Sequence, residues 1–130
     1  MPALAIGHLS AQTGVTVETI RYYEKIGLLP RPARTAAGYR QYDEDDLRRL
    51  TFIRRGRSLG FSIEAIRALL GLAEHPDQPC HDADALACAH LIEIERRIEE
   101  LGRLRDAVRE MAGCHSDCVA GCRIIDTLTR

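Results

Sequence analysis

Five cysteines are the residues of this chain whose type and spacing could do chemistry. Three stand close together as Cys114-x3-Cys118-x3-Cys122, with His115 beside the first. Thiolates are soft ligands that suit copper(I), zinc, cadmium, lead and mercury, and imidazole suits zinc and copper as well. Four such donors, flanked by Gly113 and Gly121 that let the backbone turn tightly, predict a metal-binding loop. Cys114 and Cys122 are its candidate ligands. Cys118 is either a further ligand or a spare thiol, and His115 either a ligand or a solvated loop side chain. Cys80 lies far earlier in the chain, with His81 next to it as a possible extra ligand. Cys88 reads as a small interface residue and His90 as a packed one. The odd thiol count argues against a disulfide framework.

The segment between the two cysteine groups must position them. Apolar residues recur at Ala83, Leu86, His90/Leu91, Ile94, Ile98, Leu101, Leu104, Val108 and Met111. The steps alternate between three and four, which predicts one helix over 82–111 with a narrow apolar stripe. At about 1.5 Å per residue it spans roughly 45 Å. A stripe that narrow and regular calls for the same helix of a second subunit, so the segment reads as a dimerisation helix. Cys80 cannot then reach the tail of its own chain.

The charge is unevenly divided. Residues 1–70 hold 11 Lys+Arg and 7 Asp+Glu, whereas residues 71–130 hold 7 and 12. The basic half is the candidate for an anionic partner. It opens with a short helix over 6–13, a turn at Gly14-Val15, and a second helix capped by Thr16. This is a helix-turn-helix pattern. The second helix offers Thr16, Glu18, Thr19, Arg21, Tyr22 and Lys25, a surface able to enter a major groove. Residues 31–42 follow, with small residues between two basic-aromatic arms. They predict a β-hairpin with strands near 32–34 and 39–42, from which Arg34, Tyr39 and Arg40 can reach phosphate or a minor groove. Helix resumes over 43–60, capped by Asp43, with Leu47, Leu50, Phe52/Ile53 and Leu59 expected inside. Ser62 caps a further helix with a core face of Ile63, Ile66, Leu69, Leu70 and Leu72. With two Phe, four Tyr and no Trp, the core must be mostly aliphatic.

Several classes are excluded. A Gly-rich phosphate loop, a paired carboxylate and a base beside a nucleophile are all missing, so no enzyme is expected. There is no apolar run near 18 residues and no signal-peptide pattern, so the chain is expected to be cytoplasmic, away from any membrane.

Val17-Glu18-Thr19-Ile20-Arg21-Tyr22-Tyr23-Glu24-Lys25-Ile26-Gly27-Leu28-Leu29-Pro30 resembles the signature of the MerR family of bacterial transcription regulators. So do Gly38-Tyr39-Arg40-Gln41-Tyr42 and Arg57-Ser58-Leu59-Gly60-Phe61-Ser62. The resemblance is dense over residues 5–72. It implies a mainly α fold with a winged helix-turn-helix DNA-binding head (residues 1–76) and a small β-hairpin wing. An antiparallel coiled-coil dimerisation helix (77–112) and a metal-binding loop with a short helix (113–130) would follow. By resemblance, Arg21 and Tyr22, Tyr39 and Arg40, and Arg55 or Arg57 fall where the family contacts DNA. The family's homodimers activate promoters whose two recognition elements are spaced too far apart. They bend and untwist the operator duplex so that RNA polymerase engages both elements, a form of indirect readout.

In an antiparallel dimer, Cys80 of one subunit can complete the site of the other. The mercury-, zinc- and lead/cadmium-sensing branches carry a cysteine at this position, which favours a divalent thiophilic ion (Zn, Cd, Pb or Hg) as effector, controlling a metal-resistance or efflux promoter. The copper(I) branch is similar in the spacing of Cys114 and Cys122 but typically has serine where Cys80 stands, which keeps copper(I) as the alternative. An iron–sulfur redox sensor is a further alternative, although that branch has shorter gaps between its cysteines.

Overall fold

The computed structural model describes residues 4–115 and 117–130. Two compact units divide between Asp84 and Ala85. The first contains helix α1 (Ile6–Thr13), helix α2 (Val17–Lys25), strands β1 (Ala33–Arg34) and β2 (Arg40–Gln41), helix α3 (Glu44–Ser58) and helix α4 (Ile63–Ala73). Helix α5 (His81–Met111) carries the chain into the second, which continues through a 3-10 turn (Val119–Gly121) to helix α6 (Arg123–Thr129).

Local chemistry sets the helix starts. The Thr16 hydroxyl accepts the Thr19 N–H at 3.2 Å, and Ser62 accepts that of Ala65 at 3.1 Å. Asp43 and Asp46 cap α3 reciprocally, each carboxylate accepting the other's backbone N–H. Such caps stabilise a helix by about 1 kcal/mol each. The turn between α1 and α2 is fixed by Thr13, which is buried. Its hydroxyl donates to the Leu9 carbonyl at 2.8 Å and accepts the Val15 N–H at 3.2 Å.

The strands pair antiparallel with Ala33 opposite Gln41 and Arg34 opposite Arg40. They are shorter than the expected 32–34 and 39–42. Proline has no N–H to lend a ladder, and Tyr42 pairs elsewhere, exchanging both backbone hydrogen bonds with Leu4 at 2.7 and 2.8 Å. Tyr39 closes the turn, its N–H donating to the Thr35 hydroxyl and its carbonyl accepting the Thr35 N–H.

The core of this unit joins Leu9, Val15, Ile20, Tyr23, Leu28, Leu29, Tyr42, Leu50, Ile53, Ile66 and Leu70. It is mostly aliphatic, as the composition requires. Helices α3 and α4 approach so closely that a Cβ on Gly56 would lie 2.9 Å from Ile66 Cγ1. Two residues expected inside on the 43–60 helix differ, of which Leu59 caps α3 rather than lying in it. Phe52 and Leu59 are 36% and 66% exposed. They line an apolar groove with Leu47, Thr51, Phe61 and Leu69, because the α3 face turned to α1 is already filled by Leu50 and Ile53.

Helix α5 has 31 residues and none of them is buried. Its apolar stripe stays open among the described residues, with Ile98, Leu101 and Leu104 all above 60% exposed. Ile92 is 69% exposed and stands outside the stripe. The polar side is bound together by Arg96, which pairs with Glu93 and Glu100, and by Arg97, which pairs with Glu93 at 3.2 Å. Hydrogen bonds from Arg96, then Arg97, hold the Glu93 carboxyl down to about 2.

Candidate nucleic-acid interface and metal-ligating residues

A groove of about 360 Å³ opens between α2 and the hairpin. Arg21 and Lys25 project into it from α2, one turn apart on one face. Arg31, Arg34 and Arg40 line it from the hairpin side, with Pro32 between them. Among the described residues, Glu24 is the one carboxylate that lines it. Five cations around a concave surface attract a polyanion, and guanidinium groups match phosphate geometry. Arg34 also steadies the hairpin, its Nη1 donating to the Gly38 carbonyl at 2.9 Å.

The sequence-predicted residues fall into three places. Arg21, Arg34 and Arg40 meet in the groove. Thr16, Glu18, Thr19 and Tyr22 share α2 with Arg21. The Thr16 and Thr19 hydroxyls are hydrogen-bonded to each other at 2.8 Å, and the exposed Tyr22 ring lies 6.1 Å from that of Tyr23. Tyr39 is exposed at the hairpin turn, outside the groove lining. Arg55 and Arg57 sit on α3, away from the groove. Arg55 borders the apolar groove, and Arg57 donates to the Phe61 carbonyl at 2.7 Å.

Lys25, expected on the groove-entering surface of α2, lines the groove one turn from Arg21, whereas Arg31 was not among the predicted contacts. Arg54 was missed as well. Its guanidinium lies over the helix-turn-helix turn, 3.6 Å from where a Cβ on Gly14 would stand. Arg49 has a structural task, its Nε donating to the Leu28 carbonyl at 2.9 Å and its Nη1 pairing with Glu74 at 2.8 Å.

The cysteines occupy two regions of the chain. Cys80 is exposed, immediately before α5, and borders a hollow with Phe52, Leu72, Pro79 and Ala83. After α5, Gly113 takes a φ of 83°, a conformation that disfavours a side chain, and turns the backbone. Gly121 does not share that conformation and belongs to the 3-10 turn. Cys114 and Cys122 are half-buried, whereas Cys80, Cys88 and Cys118 are exposed. The Arg123 N–H donates to Cys114 Sγ at 3.4 Å, which brings Cys114 back to the residue after Cys122. His115 is exposed. Among the described residues of one chain, no three His, Cys, Asp or Glu side chains gather as a metal site.

Residues 4–72 match the family model for the MerR HTH family regulatory protein, and residues 47–111 match that for MerR, DNA binding. The first match covers more than half of the chain. The chain belongs to the MerR family. It is a DNA-binding transcription regulator, not an enzyme, and among the described residues no helix is long and apolar enough to cross a membrane. The heavy metal-dependent transcription regulator 2 of Rhizobium meliloti is 40% identical over 124 residues, covering 95% of this chain and 84% of the relative. Among solved structures, the regulator PbrR691 from Ralstonia metallidurans in complex with lead(II) is 36% identical, with a TM-score of 0.82. That match covers 96% of this chain and 98% of the other. MerR from Bacillus megaterium in complex with mercury(II) is 33% identical with a TM-score of 0.73, covering 98% and 100%. The MerR matches contain the whole basic groove, α5 and Cys80. Cys114, Cys118 and Cys122 lie beyond both matched segments.

Proposed function

We propose that the chain is a homodimeric, metal-responsive MerR regulator that senses a divalent thiophilic ion through Cys80 of one subunit and Cys114 and Cys122 of the other. The observation that supports this is the 3.4 Å hydrogen bond from Arg123 N–H to Cys114 Sγ, which returns the loop from Cys114 to the residue after Cys122. The donor set fits a soft ion: three thiols suit mercury or lead, and a fourth donor from Cys118 or His115 suits zinc or cadmium. The metals named for the similar lead(II)- and mercury(II)-bound regulators support the same class. The open stripe of α5 supports dimerisation, because so much exposed apolar surface on a regular helix face is stabilised by a partner. In an antiparallel pair the start of one α5 lies beside the end of the other. The basic groove and the exposed face of α2 bind operator DNA, and the ion alters how the dimer distorts it for RNA polymerase. Copper(I) is the second reading, favoured by the spacing of Cys114 and Cys122. A panel of mercury, lead, cadmium, zinc and copper(I), assayed by transcription from the protein's own promoter, tests the reading. Response to a divalent thiophilic ion supports it, response to copper(I) alone selects the alternative, and indifference to all five refutes both.

A further inference from the structure

We propose that Glu24 is a positioning residue, whose buried carboxylate holds Arg40 against α2 so that helix and hairpin meet DNA as one basic surface. The inference rests on reading the groove as the DNA interface. Among the described residues Glu24 is the one carboxylate lining the groove, beside five cations, and its side chain is only 7% exposed. A carboxylate so placed is costly unless it is paired and hydrogen-bonded. Both oxygens are engaged from the hairpin side. Oε2 lies 3.3 Å from Arg40 Nε, and Oε1 accepts the Tyr42 hydroxyl. Residues two apart on an extended backbone share a face, so a single α2 carboxylate reaches both. Tyr42 is itself anchored through its two backbone hydrogen bonds to Leu4. Burial, then the Glu24 hydrogen bond, pushes the Tyr42 phenol up, which keeps it a donor to Glu24. Without Glu24, four neighbouring cations would repel Arg40, and a long side chain would lose its fixed place above the helix.

The sign of one substitution separates this role from plain electrostatics. An acid near phosphates weakens binding, so its neutralisation should tighten binding if charge alone matters. If Glu24 positions Arg40, neutralisation loosens the arginine and weakens binding. The probe is a duplex selected by the unaltered protein from a random-sequence pool, titrated by fluorescence anisotropy across a salt series. Arg40→Ala should weaken binding and lower the salt slope by about one unit, as expected for one lost phosphate contact. Glu24→Gln keeps the size and an acceptor for Tyr42, and should weaken binding about tenfold with a similar loss of slope. The double variant should bind no worse than Arg40→Ala. Tighter or unchanged binding by Glu24→Gln, beside a weakened Arg40→Ala, overturns the positioning role and leaves the groove reading intact. Unchanged binding by Arg40→Ala overturns both. If Glu24→Gln does not fold, Arg40→Lys carries the test: it keeps the charge but lacks the Nε–H, and binding equal to the unaltered protein contradicts the proposal.

Discussion

Arg21 is exposed on α2, one turn from Lys25, and neither an ion pair nor a hydrogen bond of its side chain is found among the described residues. It is therefore available to a base edge, in contrast to Arg40, which Glu24 already holds. Arg21→Ala should cost about 1–3 kcal/mol of specific operator binding and relax preference at the base it reads. Equal affinity for the selected duplex and its single-base variants, before and after substitution, would remove Arg21 from the readout. The groove was only half legible in the sequence. Arg21, Arg34 and Arg40 stood out by type and by their places in helix and hairpin. Glu24 did not, because its partners lie 16 and 18 positions away and only the folded hairpin brings them to it. A glutamate one residue past an apolar position otherwise reads as solvated. The cysteines were legible as soft ligands from their spacing, but the Arg123 N–H on Cys114 depends on the path of the backbone through the loop and could not be read.

Helix starts were legible because their causes are local: Thr16, Asp43 and Ser62 each meet an N–H within three residues. What failed was the assignment of faces on α3, where Phe52 and Leu59 continue an apolar pattern beyond the width of the core. Gly56 shows how tightly α3 and α4 meet. Gly56→Ala gains about 1 kcal/mol in helix propensity but must displace Ile66 from 2.9 Å, an overpacking that costs about 1–3 kcal/mol. Net destabilisation of about 1 kcal/mol is expected in urea unfolding, and a more stable variant would show that the helices separate freely. On α5, the stripe was legible from its period, and among the described residues it stays open. Ile98→Glu places a charge in the middle of the stripe and should yield monomers or unfolded chain by sedimentation. An intact, folded dimer would contradict the assigned interface. The polar side of α5 has its own pH signature. Glu93 is held at about 2 by Arg96 and Arg97, below its ordinary value near 4.5, so its stabilising pairs are complete above about pH 4.5 and disappear as the pH falls through about 2. The melting difference between the unaltered protein and Glu93→Gln should close over that window, and a difference persisting below pH 2 would assign it to packing.

Across the whole molecule, a second subunit would join the two cysteine groups. Cys80 stands immediately before α5 and Cys114 three residues after it, so 31 helical residues, roughly 45 Å at about 1.5 Å each, separate the thiols along one chain. In the proposed dimer, antiparallel pairing of α5 would bring them together between chains and tie ion binding to the DNA-bound dimer. Thiolate ligands lose protons when they bind, so affinity should fall with pH. If Cys80 acts across the dimer, mixing of subunits reveals it. Cys80→Ser and the double variant Cys114→Ser/Cys122→Ser should each lack a tight site. In their heterodimer one site regains all three thiols while the other loses all three. After re-equilibration of the subunits, about one tight mercury(II) or lead(II) site per heterodimer is expected, by titration against a competing chelator. Complete subunit exchange with no recovered site would mean that the ligands come from a single chain and would contradict the antiparallel arrangement.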